Sequence, residues 1–251
     1  MGHTGTLDPF ATGLLVMVLG GATRLARFVE AERKIYFAQA KLGLATTTDD
    51  RTGAPVGEVW SGVWPETAMV EAAMAGLEGP GVQRPPAFSA KLVDGVRSYT
   101  RARRGEAIEL EPVPVVIERL ALLEYEPPFV TFRATVGSGT YIRAIARDLG
   151  ERLGIGAHLE SLRREAVGRF DVAGAVPLDR LTGAEPLIPP ADLLPFERVQ
   201  VTAEEAEQLR RGQRVGVAGP GRVALVHGGD LVAVAEARDG RWQPVVVLAA
   251  A

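Results

Sequence analysis

Val130-Thr-Phe-Arg-Ala-Thr-Val136, then Gly137-Ser-Gly139, then Thr140-Tyr-Ile-Arg-Ala-Ile-Ala-Arg-Asp-Leu-Gly-Glu-Arg-Leu-Gly154 is the most legible unit of the chain. The first part alternates as a strand with one covered face does, and the Gly-Ser-Gly breaks it sharply. Beyond the break, Ile142, Ile145, Ala146, Leu149 and Leu153 recur on one face of a helix, which Gly154 closes. A strand turning directly into a helix fits an α+β fold. Arg143 and Arg147 stand one turn apart just past that turn, where a side chain reaches the cleft at the end of a sheet.

Upstream, Tyr36 to Leu42 reads as a second strand, and Gly43 to Gly57 as a polar loop. Leu14 to Leu19, bounded by glycines, reads as a short buried strand, with a helix from Ala22 to Ala31 after it. Val70, Ala73, Met74 and Leu77 give one apolar helix face, expected to pack only against a sheet. Downstream, Leu181 to Pro195 carries Gly183 and four prolines and is the best linker in the chain. After it come a short helix around Glu204 to Arg211 and three strands, Arg222 to His227, Leu231 to Ala237 and Val245 to Leu248, which make a small β-rich module.

The 251 residues are 47% hydrophobic and 24% charged, the composition of a globular protein, and no apolar run is long enough for a membrane helix. Absence of cysteine excludes disulfides, thiolate nucleophiles and Cys-ligated metal. With three scattered histidines (His3, His158, His227), no metal and no cofactor is expected. The net charge of -3 argues against a nucleic-acid partner only while it is averaged. Residues 82–170 hold 14 basic and 11 acidic groups, whereas 1–81 hold 6 and 9 and 171–251 hold 8 and 11. Arg97, Arg101, Arg103 and Arg104 fall in eight residues without an acid, a solvated face or a set of phosphate contacts.

The opening, Gly2-His-Thr-Gly-Thr-Leu-Asp-Pro-Phe-Ala-Thr-Gly13, is a Gly/Thr-rich loop that can hold one carboxylate, Asp8, in a cleft. Taken alone, Asp8-Pro9 is a turn starter or helix N-cap. Likewise Tyr36 alone is a half-buried strand tyrosine, Tyr141 and Arg143 a helix start, His158 a structural residue, and His227 an exposed turn residue.

The whole opening segment, however, resembles the catalytic motif of the tRNA pseudouridine-55 synthase family (TruB type). Further matches follow in order: Arg33-Lys-Ile-Tyr36, Thr47-Thr-Asp49 with Gly53, Gln83-Arg-Pro-Pro-Ala-Phe-Ser-Ala90, Tyr99-Thr-Arg-Ala-Arg103, Gly139-Thr-Tyr-Ile-Arg143, Asp148-Leu-Gly150 and Leu162-Arg-Arg164. The likeness spans about residues 2–182, and the tail resembles the PUA-like module of the same family. It implies a mixed, mainly antiparallel sheet flanked by helices (residues 1–182, with an RNA-gripping insertion at about 84–112), a linker at 183–195 and a PUA-like RNA-binding domain at 196–251.

It also implies roles. Asp8 would be the nucleophile, Tyr36 would stack on the flipped base and assist proton transfer, and Arg143 would pair with Asp8. Tyr141 would sit near the base, Leu162 would wall the pocket, His3 would fill the space left in the RNA, and Arg97, Arg101, Arg103 and Arg104 would grip the backbone. The implied reaction isomerises uridine 55 in the T-loop of tRNA, in the cytoplasm, by a monomer. Relatives usually carry a further segment ahead of Gly-His-Thr-Gly, so a misplaced start codon or a truncated sequence is expected rather than a natural deletion. Were that segment truly missing, the alternative is a non-catalytic RNA-binding or tRNA-folding protein.

Overall fold

A computed structural model of the chain describes residues 1–88, 92–93, 96–97 and 110–248. In chain order the strands are β1 (Gly2–His3), β2 (Thr12–Gly13), β3 (Met17–Val18), β4 (Lys34–Leu42), β5 (Ala45–Thr46), β6 (Pro55–Val56), β7 (Gly79–Gln83), β8 (Leu92–Val93), β9 (Val96–Arg97), β10 (Val113–Glu126), β11 (Phe129–Val136), β12 (Ala157–Val167) and β13 (Phe170–Asp171), followed by β14 (Glu197–Gln200), β15 (Arg222–His227), β16 (Asp230–Arg238) and β17 (Arg241–Val247). The α-helices are α1 (Ala26–Glu30), α2 (Thr67–Ala75), α3 (Ile142–Leu153) and α4 (Ala203–Arg210). The chain forms two compact units, Leu7–Leu14 with Glu32–Gly174, and Met1–Thr6 with Leu15–Ala31 and Ala175–Ala251.

The first unit is built on a seven-stranded sheet in the order β13-β12-β4-β11-β10-β7, with β2 added parallel to β12 and every other pairing antiparallel. This is the mixed, mainly antiparallel sheet expected from the sequence. Along β4 the residues Lys34, Tyr36, Ala38, Ala40 and Leu42 are buried and their neighbours half-buried, the two-residue period of a sheet covered more fully on one face. Against that face pack Ile142, Ile145, Ala146 and Leu149 of α3 and Val70 and Met74 of α2. The approach of α3 is close: a Cβ on Gly150 would lie 2.2 Å from the backbone nitrogen of Ala157, so only glycine fits there. Gly154, at φ 71°, ends the helix in the left-handed region.

Three local expectations need correction. The Leu14–Leu19 run is not a buried strand. Leu15, Met17 and Leu19 are 40–43% exposed, and only Met17 and Val18 pair, with β1. An unbroken apolar run implies two covered faces, and here one is open. Helix α2 meets α3 as well as the sheet strand β10. The polar Gly43–Gly57 stretch contains the β5–β6 pairing and buries Thr46 and Asp50, because its hydroxyls and carboxylates satisfy one another.

In the second unit β14-β15-β16-β17 form a four-stranded sheet, parallel only at β14–β15. Its core holds Leu209 of α4 with Val223, Leu225, Val232 and Trp242. Thr202 and Glu205 cap α4 reciprocally. Residues 15–31 are fastened to this part by Phe28, edge-on to Phe196 with ring centroids 5.3 Å apart, by Arg222 over both rings, and by Arg24, which donates to the Val247 carbonyl. His227 was expected exposed in a turn. It ends β15, half-buried, its Nδ1 2.9 Å from the Val201 carbonyl oxygen. Among the described residues no helix is long and apolar enough to cross a membrane.

Candidate active site

The loop carrying Asp8 is anchored at its far end. Thr12 and Gly13 run parallel to Arg163 and Arg164 of β12. Leu14 is held twice by one residue: its N–H donates to the Arg164 carbonyl (2.8 Å), and its own carbonyl accepts from Arg164 Nε (2.7 Å). At the near end, Ala11 N–H donates to the Asp8 carbonyl (2.9 Å), closing a turn that turns the Asp8 side chain to Arg143.

Arg143, in the first turn of α3, meets Asp8 with a two-point fork. Nε donates to Oδ2 at 2.9 Å and Nη2 to Oδ1 at 2.8 Å. The remaining donors reach the Thr48 carbonyl (3.1 Å) and the Phe88 carbonyl (3.0 Å), and Nη1 lies 3.4 Å from Asp50 Oδ2. The Arg143 and Asp50 side chains are 5% and 6% exposed, whereas that of Asp8 is 26% exposed. The guanidinium is thus engaged at all three nitrogens, and of its two carboxylate partners Asp8 is the one that faces outward. Bidentate pairing fixes the carboxylate plane as well as its position.

Asp50 is a site residue that the sequence reading missed. Its Oδ1 accepts from Thr48 Oγ1 (2.7 Å), Thr52 N–H (2.9 Å) and Thr52 Oγ1 (2.6 Å), leaving Oδ2 for Arg143. The signal for it was the cluster of threonines around two acids beside the quoted Thr47-Thr-Asp49. Asp49, at φ 59°, turns the other way and takes Arg147 Nη1 at 2.9 Å. Two consecutive aspartates therefore hold two arginines one helical turn apart. Burial pushes Asp49 and Asp148 up from the ordinary carboxylate value, and Arg147, bonded to both, opposes the rise.

Tyr36 stands on β4 opposite Arg164 on β12, and is 7% exposed. Burial raises its phenol above the ordinary 10.0, the charge and hydrogen bond of Arg164 oppose this, and the Asp8 charge adds to the rise. Leu162, 6% exposed and opposite Ala38, follows on the same face. Tyr141 is the N-cap of α3 and half-buried. His3 lies on β1 in the other compact unit, paired with Met17 and exposed. Arg97 falls on β9, and Arg101, Arg103 and Arg104 lie outside the described residues. His158 is buried and bonded through Nδ1 to the Leu44 carbonyl (2.7 Å), a structural role. Among the described residues no group of three or more acids and histidines is arranged to hold a metal ion.

Residues 1–142 match the family described as TruB family pseudouridylate synthase (N terminal domain). The chain belongs to the TruB family. Residues 143–188 match the tRNA pseudouridylate synthase B C-terminal domain, and 196–249 match tRNA Pseudouridine synthase II, C terminal. A tRNA pseudouridine synthase B of Solibacter usitatus is 41% identical over 265 residues, covering 99% of this chain and 90% of the relative. One from Thermobifida fusca is 40% identical, covering 99% and 89%. A chain of a Cbf5-Nop10-Gar1 complex superposes on this TruB-family chain with a TM-score of 0.71 at 23% identity, over 99% of this chain and 75% of its own. A chain of an H/ACA RNP bound to a substrate RNA containing 2'-deoxyuridine gives 0.69 at 23%, over 98% and 74%. These two share the fold of this chain.

Proposed function

We propose that this TruB-family enzyme isomerises uridine to pseudouridine at position 55 in the T-loop of tRNA, with Asp8 as the nucleophile. The observation that carries the reading is the Arg143–Asp8 fork, in which a buried guanidinium aims a carboxylate that is itself accessible. The reaction breaks the N1–C1′ bond, turns the uracil, joins C5 to C1′, releases the C5 hydrogen as a proton and takes one proton up at N1. It is redox-neutral, and one nucleophilic carboxylate suffices to hold a covalent intermediate.

The uridine must leave its stack, at a cost of a few kcal/mol that contact in the pocket offsets. Tyr36, with its ring on the same sheet face as Leu162 and its phenol kept protonated by burial, suits one face of the base. Tyr141 and Leu162 complete the pocket, and His3 fills the vacated space in the RNA. Arg97, Arg101, Arg103 and Arg104 take phosphates of the T-arm, and the 196–251 domain touches tRNA beyond the loop. The protein works as a monomer in the cytoplasm, where tRNA is modified.

Tritium release from tRNA labelled at uridine C5 tests this. The wild-type chain releases tritium and Asp8→Asn does not. Binding of tRNA without release by the wild type would make the protein a binder only.

A further inference from the structure

The segment leading out of the edge strand β7 makes an unusual set of bonds. Gln83, 2% exposed, faces the backbone of Tyr141 with its whole amide: Oε1 accepts the Tyr141 N–H at 2.8 Å, and Nε2 donates to the Tyr141 carbonyl at 3.2 Å. This is a strand-like pairing made by a side chain, placed on the N-cap of α3, which has no side-chain cap of its own. One residue on, the Arg84 carbonyl accepts from Arg147 Nη2 at 2.9 Å, and the Phe88 carbonyl accepts from Arg143 Nη2 at 3.0 Å.

Between those two carbonyls stand Pro85 and Pro86, both buried. Proline fixes its own φ and confines the residue before it to extended backbone. The pair also removes two N–H groups that would otherwise need partners. Residues 83–88 therefore form a stiff strut with three attachments along the first two turns of α3: at Tyr141, Arg143 and Arg147.

We propose that Gln83, with Pro85-Pro86, is the positioning element of the catalytic arginine, setting the N-terminal turn of α3 so that the Arg143 fork meets both Asp8 oxygens. The proposal rests on the nucleophile reading of Asp8 and adds how that carboxylate is kept in register. Its effect belongs to the chemical step, because none of these groups has to touch RNA to exert it.

The test is single-turnover pseudouridine formation at saturating tRNA, with the tRNA dissociation constant measured separately, for wild type, Gln83→Met and the double variant Pro85→Ala/Pro86→Ala. Misplacing a reacting group by an ångström costs up to about a hundredfold, so a drop of about tenfold or more in the chemical rate is expected for Gln83→Met, with tRNA affinity within about twofold. The proline variant, which keeps every side-chain bond, is expected to fall in rate as well. Fluorotyrosine NMR gives an independent readout: the Tyr141 resonance moves in Gln83→Met while that of Tyr125 stays. Wild-type rates in both variants, or a loss that resides wholly in tRNA affinity, would overturn the proposal. An inactive wild type would instead overturn the reading of Asp8.

Discussion

Gly13 and Arg164 are in direct backbone apposition: a Cβ on Gly13 would sit 2.2 Å from the Arg164 carbonyl oxygen and 2.8 Å from its nitrogen, and Gly13 has φ 101°. Both the space and the dihedral demand glycine. Gly13→Ala is therefore expected to displace the loop that carries Asp8, reducing tritium release by tenfold or more, about 1.4 kcal/mol in barrier. Gly57→Ala is the control, because at φ 77° it meets nothing within 4 Å. It should cost about 1 kcal/mol of stability and no activity. Equal activity of the two variants would show that the Gly13–Arg164 apposition does not hold Asp8 in place.

Arg143 serves two carboxylates of different burial, which predicts an asymmetry. Asp8→Asn removes a partly exposed charge and should abolish turnover while leaving the melting temperature nearly unchanged. Arg143→Met leaves Asp50 buried without its cation and should destabilise the fold by about 3–5 kcal/mol. Arg143→Lys keeps charge but not the fork, so it should retain more stability than methionine and lose about a hundredfold in rate. Urea titration alongside single-turnover assays separates the three. Equal destabilisation by Asp8→Asn and Arg143→Met would sink the asymmetry.

Tyr36 gives the protein an alkaline limb. Its phenol is raised by burial above 10.0, so the folded state holds that proton more tightly than the unfolded chain does. The unfolded state ionises first, and the Tyr36 contribution is complete below pH 10 and is lost as pH rises through the folded value. Melting temperature followed from pH 9 to 11 should fall more steeply for wild type than for Tyr36→Phe. Parallel slopes would contradict it.

The arginine cluster predicts a salt effect. Charge reversal at Arg101 and Arg103 should weaken tRNA binding and flatten its dependence on salt, since fewer counterions are released, while the chemical rate at saturating tRNA is kept. Filter binding across a salt series reads both; an unchanged slope counts against phosphate contact.

Much of this molecule is local in origin. The alternation of Val130–Val136, the Gly-Ser-Gly break and the five apolar positions of α3 specify a strand, a turn and a helix with Arg143 at its start. The capped α4 and the β15–β17 ladder are equally local, because period and turn chemistry act within a few residues. The ordered motifs, through their resemblance to the family, pointed to Asp8, Tyr36, Leu162 and Arg143 as one site, and the structure brings Asp8 and Arg143 together.

Other features arise only in the folded chain. Asp50 and Arg164 look like a loop acid and a strand base, yet they are 4% and 1% exposed, one completing Arg143 and the other spanning Leu14 and Tyr36. The Leu14–Leu19 run misled because burial of a second face depends on what lies over it. Asp8 and Arg143 stand 135 residues apart, and Leu14 and Arg164 150 apart. Their meeting is set by the register of β12 against β4 and β2, a long-range pairing that no local periodicity encodes. The residue types and their chemistry are thus written along the chain, while the charges that share Arg143 are chosen by sheet register and by the desolvation that leaves a buried guanidinium no partner but those brought to it.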